Sequence, residues 1–157
     1  MNKVEQKFIG IVESSLATLD LKLYLLEYIQ GTKTLKVFIC KEGMENVNID
    51  DCAKVDKSLG DVFENDPDLP ADFILEVSSP GLERKLVYPW HYESAVGSFL
   101  KLKVDTIPEG SKIKNKNIKG TLQEVRDKGI LIEIEKTEEQ LYVDFEVIKS
   151  SNIEYKF

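Results

Sequence analysis

The sequence of this 157-residue chain predicts an α+β fold with two small domains. Two observations lead to this prediction. Hydrophobic residues in the first half alternate between helical and strand-like spacing in the order αββαβ, whereas the second half is dominated by short strand-like segments. A chain of this length is long enough for two compact domains. We therefore expect an αββαβ domain over residues 1–88 and a small all-β barrel over residues 89–157.

The first helix and the hairpin follow from the spacing of apolar residues. Between Val4 and Leu19 these residues recur at helical spacing, which predicts an amphipathic helix. From Leu21 onwards apolar and polar residues alternate, and Gly31 separates this run from a second alternating run that ends at Cys40. Two such runs on either side of a turn predict a β-hairpin.

The second helix has a start signal. Asn48 is a residue type that caps free backbone N–H groups, and Asp51, three residues later, completes the pattern of a capping box. The apolar stripe of this helix is expected to comprise Ile49, Cys52, Val55, Leu59, Val62 and Phe63.

The remaining apolar segments are predicted to be strands. One runs from Phe73 to Val77 and completes the αββαβ order. After Pro89, five short strand-like segments follow within about sixty residues, as in a small barrel of the Sm or SH3 type, which protects its edges by closure. The segment from Asp127 to Gly129 predicts a tight hairpin between two of them.

The net charge of −7 is distributed unevenly along the chain. Residues 42–76 contain eleven acidic residues against two lysines, a net charge of −9. The phosphate backbone of a nucleic acid repels such a surface, so a basic protein is the better match for a partner. The candidate contacts on the second helix are Asp50, Asp56, Asp61 and Glu64.

A cluster of lysines lies between the first two strands of the predicted barrel. It is either an ordinary solvated loop or an auxiliary contact to the phosphates of an RNA. The αββαβ order is similar to that of KH domains, but the sequence has no Gly-x-x-Gly loop to clamp a nucleic-acid backbone. Arginines suited to reading bases are scarce. The lysines of the cluster are Lys112, Lys114, Lys116 and Lys119.

The sequence offers little for catalysis. It lacks phosphate-binding loops, nucleophile elbows and zinc-binding histidine pairs. The single histidine, His91, is either a general base or, as we expect, a packing or capping residue. Cys40 and Cys52 are too few for a disulfide framework and are expected to be reduced core thiols. We expect no enzymatic activity, no cofactor, no metal ion and no small-molecule substrate.

The location also follows from the pattern of hydrophobic residues. No stretch approaches the roughly 20 consecutive apolar residues that a membrane helix needs. The first seven residues lead into an amphipathic pattern, which is not that of a secretory signal. We expect a cytoplasmic protein without a membrane partner, and a monomer by default.

The most informative segment is Leu75–Leu86, with the sequence Leu-Glu-Val-Ser-Ser-Pro-Gly-Leu-Glu-Arg-Lys-Leu. Its Pro80-Gly81 pair suits a type II turn, in which glycine accepts a positive φ. The segment resembles the signature of the ribosome maturation factor RimP family, Leu-Glu-Val-Ser-Ser-Pro-Gly-Leu-Asp/Glu-Arg. Residues 49–55, followed by Ser58 and Leu59, are similar to the family's second-helix segment.

Two positions depart from the family pattern. Lys85 stands where family members usually have proline, and Cys40 stands where many have aspartate. The barrel region resembles the family mainly by its pattern, with Gly97 and residues 120–122 as the nearest matches.

The resemblance implies a non-catalytic factor that associates with the immature small (30S) ribosomal subunit and assists its assembly. It also implies contact with a basic small-subunit ribosomal protein, and an αββαβ domain followed by an Sm-like barrel. Glu83 and Arg84 of the signature either hold the structure together or contact the subunit. Two alternatives remain: a general RNA-binding module that uses the barrel, and an enzyme that uses His91.

Overall fold

The computed structural model of the protein describes residues 3–45, 47–70 and 72–155. The chain divides into two compact units, Met1–Pro80 and Gly81–Phe157. The described residues form three helices and two sheets, of three and five strands, so the class is α+β as predicted. Residues 81–88, which precede the boundary expected near Pro89, belong to the second unit, and Leu86 lies in its core.

The first unit has the predicted αββαβ order. Its elements are α1 (Lys3–Ala17), β1 (Lys22–Ile29), β2 (Thr34–Cys40), α2 (Ile49–Glu64) and β3 (Ile74–Ser78). The central strand, β2, pairs antiparallel with β1 and parallel with β3. The β1–β2 pair is a hairpin, whereas the parallel β2–β3 pair needs a crossover, which α2 provides.

The core of the first unit is formed where both helices pack on the sheet. Phe8 of α1 is fully buried and contacts two further rings, those of Phe63 and Phe73, with ring centres 5.5 and 5.3 Å away. These edge-to-face contacts add about 0.5–1.5 kcal/mol each to the burial of the rings. They join α1 to the end of α2 and to the start of β3. The other fully buried contributors include Val12, Leu16, Leu35, Val37, Ile39, Val55 and Leu59.

Two residues of the predicted apolar stripe on α2 are not buried. Ile49 is 86% exposed and Val62 is 41% exposed. At 100° per residue, both lie about 60–80° from the centre of the buried side, which Val55, Leu59 and Phe63 define. The prediction for Ile49 and Val62 was therefore wrong, because Phe63 rather than Val62 turns towards the sheet.

The regular alternation predicted for β1 also breaks. The register of β1 against β2 shifts between Leu23 and Leu25. Tyr24, Leu25 and Leu26 are consequently all buried, although alternation from Leu21 would expose Tyr24. A bulge of this kind inserts one residue into a strand and reverses the faces of the residues after it.

The second unit is one antiparallel sheet preceded by a short helix. Its elements are α3 (Pro89–Glu93), β4 (Phe99–Val104), β5 (Asn117–Val125), β6 (Gly129–Ile134), β7 (Gln140–Asp144) and β8 (Ile148–Ile153). The strand order is β7-β6-β5-β4-β8. Among residues 81–155 no pairing joins β7 to β8, so the closed barrel predicted from the sequence is not confirmed.

The outer side of β8 is covered by the segment that follows the signature turn. Lys85 forms an antiparallel bridge with Asn152. Leu86 N–H donates to the Ser151 carbonyl at 2.9 Å, and Ile153 N–H donates to the Arg84 carbonyl at 3.1 Å. Residues 84–86 therefore act as a short extra strand beside β8.

The predicted capping box at the start of α2 is confirmed. The Asn48 side-chain oxygen accepts the Asp51 N–H at 2.8 Å, and the Asp51 carboxylate accepts the Asn48 N–H at 3.1 Å. This second bond, with Lys41 nearby, lowers the pKa of Asp51. Because the folded pKa is the lower one, the stabilisation is present at neutral pH and is lost as the pH falls through it.

We expect Asn48→Ala to lower the free energy of unfolding by about 1 kcal/mol, because the first turn of α2 loses its side-chain acceptor. Urea denaturation followed by far-ultraviolet circular dichroism measures the change. Asn48→Asp keeps an acceptor at the same place and should remain near the wild-type value. Equal losses in the two variants would show that the capping bond is not the cause.

Candidate partner-binding surfaces

The charge of the protein is divided between the two units. Residues 1–80 contain eight lysines and no arginine against fifteen acidic residues, a net charge of −7. Residues 81–157 contain thirteen basic and thirteen acidic residues. The whole formal charge of the chain therefore belongs to the first unit, and any search for a surface that binds a basic partner starts there.

The four acidic residues singled out on α2 are all exposed, but they do not form one row. At 100° per residue, Asp50, Asp61 and Glu64 fall within a sector of about 60°, opposite the buried side of the helix. Asp56 lies about 120° from Asp50, on the flank of the helix. The structure thus brings three of the four together and separates the fourth. We call the sector with Asp50, Asp61 and Glu64 the acidic face.

One lysine, Lys57, lies within the acidic face, and a second, Lys54, lies at its border. Lys54 follows Asp50 by four residues and Lys57 precedes Asp61 by four, the spacing at which side chains meet on a helix. Both lysines are exposed. They offset part of the negative charge, so the face presents alternating charges rather than a uniform negative field.

Lysines from outside residues 42–76 also reach acids within that segment. Lys7 of α1 lies 3.4 Å from Asp66 and 3.1 Å from Asp68. The hydrogen bond to Asp68 is the main cause that raises the pKa of Lys7. Lys41 lies 3.5 Å from Asp51. These ion pairs engage Asp51, Asp66 and Asp68 and leave the three acids of the acidic face exposed.

An open pocket of about 590 Å³ lies beside the end of α2. Phe63 and Phe73 supply aromatic lining, and Glu64, Asp66 and Asp72 place carboxylates around it. The combination suits an apolar side chain flanked by basic residues. Sequence reasoning missed this pocket, because its lining comes from α2, from the loop after it and from β3. The signal in the sequence is the pair of prolines, Pro67 and Pro70, which holds that loop off the helix axis.

The charged residues of the signature turn make contacts within the second unit, to which they belong. Gly81 has a φ of +83°, as the predicted turn requires. The Arg84 guanidinium donates to the Ser94 hydroxyl at 3.3 Å and to the Ser94 carbonyl at 3.4 Å. A Glu83 carboxylate oxygen accepts the Tyr155 N–H at 3.3 Å. Both side chains therefore have partners that hold the start of the second unit in place.

His91 is fully buried at the beginning of α3. Its Nδ1 accepts the N–H groups of Val87 and Tyr88, at 2.9 and 3.2 Å. An acceptor nitrogen carries no proton, so the neutral ring holds its proton on Nε2. The rings of Tyr88 and Trp90 pack against the imidazole, with centres 5.0 and 4.5 Å away. This geometry fits the capping role that we expected for His91.

The predicted lysine cluster is exposed throughout. Three of its members, Lys112, Lys114 and Lys116, lie in the loop between β4 and β5. The fourth, Lys119, lies within β5 and forms an ion pair with Glu154 at 3.4 Å. Sequence reasoning missed the neighbouring Lys101, which the register places directly opposite Lys119. Its alternation with buried leucines in β4 was the available signal.

The described part of the chain offers neither a metal-binding cluster nor a membrane-spanning helix. Within residues 3–45, 47–70 and 72–155, no group of three or more His, Cys, Asp or Glu side chains is arranged to hold a metal ion. The helices found there are too short or too polar to span a membrane. Neither cysteine forms a disulfide; Cys40 is buried and Cys52 is half-buried.

We expect His91→Ala to lower the free energy of unfolding by about 3 kcal/mol, because two backbone N–H groups lose their acceptor. His91→Asn places an oxygen close to the position of Nδ1 and should recover a large part of the loss. Urea unfolding followed by the fluorescence of Trp90 measures both variants. Wild-type stability in His91→Ala would refute the capping role.

The comparison with known families identifies the first unit. Residues 11–83 match the family model described as the RimP N-terminal domain. The match begins within α1 and ends in the signature segment, and so includes the hairpin, the capped helix α2 and β3. Residues 11–83 of this chain are thus a RimP N-terminal domain, and this match supports the resemblance to the ribosome maturation factor RimP family.

Proposed function

We propose that this protein is a non-catalytic cytoplasmic factor that binds the immature small (30S) ribosomal subunit and assists its maturation. In this proposal the acidic face of α2 docks on a basic ribosomal protein. The family match supports the ribosomal role. The observation that supports the mode of binding is the charge division, with a net −7 on the first unit and none on the second.

The acidic face suits rapid and selective encounter with a basic protein. Complementary charges raise the association rate and suppress wrong partners more than they raise final affinity. At physiological salt, such attraction reaches only about 8 Å beyond the surface. Asp50, Asp61 and Glu64 are exposed and close enough in rotation to act on one partner segment, and Asp56 extends the charge along the flank.

The pocket beside α2 supplies a place for an apolar anchor, which the charges of the acidic face do not provide. Exposed ion pairs contribute little to affinity, whereas a buried apolar anchor slows dissociation. Phe63 and Phe73 line a space that an apolar side chain of the docking segment can fill. Glu64 lines the pocket and also belongs to the acidic face, so the two parts are continuous.

The second unit has a supporting role in this proposal. We propose that its five strands form an Sm-like barrel. The alternative function is general RNA binding through this unit, which its exposed lysines favour. The formal neutrality of the unit and the scarcity of arginine argue for auxiliary contact rather than for an independent RNA-binding protein. The protein acts as a monomer in either case.

Co-sedimentation with immature and mature small subunits over a range of salt concentrations tests the role and the acidic face together. We expect wild-type protein to bind immature particles, with the fraction bound falling as salt rises. Asp50→Lys/Asp61→Lys should slow association, and so weaken the binding seen in co-sedimentation, roughly tenfold at low salt, because the steering charge is reversed. Far-ultraviolet circular dichroism checks that the variant is folded.

Asp127→Lys/Glu146→Lys is the matched control. It makes the same change in net charge at two exposed acids of the second unit. Equal slowing in both variants would show that overall charge, not the acidic face, controls association. Absence of wild-type binding at low salt would refute the ribosomal role itself.

Arg84→Ala separates a structural role from subunit contact. We expect the variant to melt about 2–4 °C lower, which corresponds to roughly 1 kcal/mol for a chain of this size. Its side chain already bonds to Ser94, so the folded variant should bind the immature subunit as the wild type does. Thermal unfolding and co-sedimentation below the transition give the two readouts. Weaker binding with an unchanged melting temperature would instead assign Arg84 to the subunit interface.

A further inference from the structure

The strand register of the second unit places lysines in a row across the sheet. Lys101 of β4 lies opposite Lys119 of β5 on one side and opposite Asn152 of β8 on the other. Asn152 is bridged in turn to Lys85. Residues directly opposite one another project from the same face, with Cβ atoms about 5 Å apart. Three lysines and one asparagine therefore share one row, and all three lysines are exposed.

A second row runs beside the first. Lys103 lies between Asn117 of β5 and Ser150 of β8, and all three side chains are exposed. Two residues along a strand separate the rows by about 7 Å. The loop that carries Lys112, Lys114 and Lys116 leads directly into β5 next to Asn117. Residues 101–119 contain six lysines and two acids, a net charge of +4 in a chain of net charge −7.

The arrangement is not explained by the needs of the fold. Like charges directly opposite each other destabilise a sheet. Lysines at sheet edges protect against aggregation, but β4 and β5 are inner strands in the order β7-β6-β5-β4-β8. The ion pair of Lys119 with Glu154 offsets one of these charges. An anionic partner would relieve the repulsion that the sheet itself maintains.

We propose that the outer face of β4, β5 and β8 binds the phosphate backbone of RNA. The lysine rows form the phosphate-binding face, which consists of Lys85, Lys101, Lys103, Lys119, Asn117, Ser150 and Asn152. Lysine acts on phosphate as a point charge, and asparagine and serine are common donors to phosphate oxygens.

Neither arginine of the second unit is available to this face for reading guanine bases. Arg84 is bonded to Ser94, and Arg126 lies 3.1 Å from Glu124 and over the ring of Tyr142. Binding is consequently independent of sequence and strongly dependent on salt. The face also includes Lys85, the residue that stands where the family usually has proline, so this chain adds a charge at the end of the row.

The inference is separate from docking through the acidic face, since the two surfaces belong to different units. It rests on the proposed function only for the identity of the RNA as ribosomal RNA. Phosphate binding itself is tested on RNA without ribosomal proteins, so either idea can fail alone.

Fluorescence anisotropy with the full chain and a labelled RNA hairpin with a single-stranded tail, of mixed sequence, tests the proposal. The test variant is Lys101→Gln/Lys103→Gln/Lys119→Gln. We expect its affinity at low salt to fall roughly tenfold or more. The slope of log affinity against log salt should decrease by about 2, because each lost phosphate contact removes 0.7–0.9. Its melting temperature should be unchanged or higher, since the facing charges are gone.

Lys3→Gln/Lys128→Gln/Lys136→Gln is the control with the same change in net charge at exposed sites elsewhere. Equal weakening in both triple variants, or no binding of RNA by the wild type at low salt, overturns the proposal. Polyglutamate is a further check. If it binds the wild type as tightly as RNA does, and the test variant loses affinity for it equally, the face binds acidic proteins and the proposal is overturned. Asp50→Lys/Asp61→Lys must keep RNA binding.

Discussion

The burial of one side of α2 determines what the rest of the first unit presents to solvent. Val55, Leu59 and Phe63 are held against the sheet, and Phe63 is further fixed by the rings of Phe8 and Phe73. Because a helix is rigid about its axis, fixing these residues also fixes the acidic face on the opposite side. The same packing places Phe63 in the wall of the pocket, so one set of contacts positions both the charges and the apolar anchor.

The two units offer partners surfaces of opposite charge, although only the first unit carries a net charge. The first unit is negative overall, and its lysines partly neutralise it from within, as Lys7 does with Asp66 and Asp68. The second unit is neutral overall but concentrates its lysines on one face of the sheet. A particle made of basic proteins and RNA offers a complement to each. Such a division allows one small chain to bind both kinds of component without either surface weakening the other.

Sequence reasoning succeeded where structure is decided locally and failed where it depends on register. The capping box of Asn48 and the positive φ of Gly81 follow from a few adjacent residues, and both were predictable. The burial of Ile49 was wrongly predicted because helical spacing alone does not reveal where the buried side of a helix is centred. Alternation in β4 marks Lys101 as exposed, but its position opposite Lys119 could not be foreseen, since the two meet only through the pairing of β4 with β5. Barrel closure likewise depends on strand pairing that alternation does not specify.

The short extra strand at residues 84–86 has a consequence for the order in which the protein folds. Lys85 pairs with Asn152, 67 residues later. Forming this pair closes a long loop that contains the rest of the second unit's sheet. During synthesis the first unit has all its strands once β3 is made, and it can fold as the chain grows. The second unit cannot complete its sheet until β8 has been made, because Lys85 and β4 both pair with that strand. The first unit can therefore be folded while the second still lacks the strand that pairs with its own first segment.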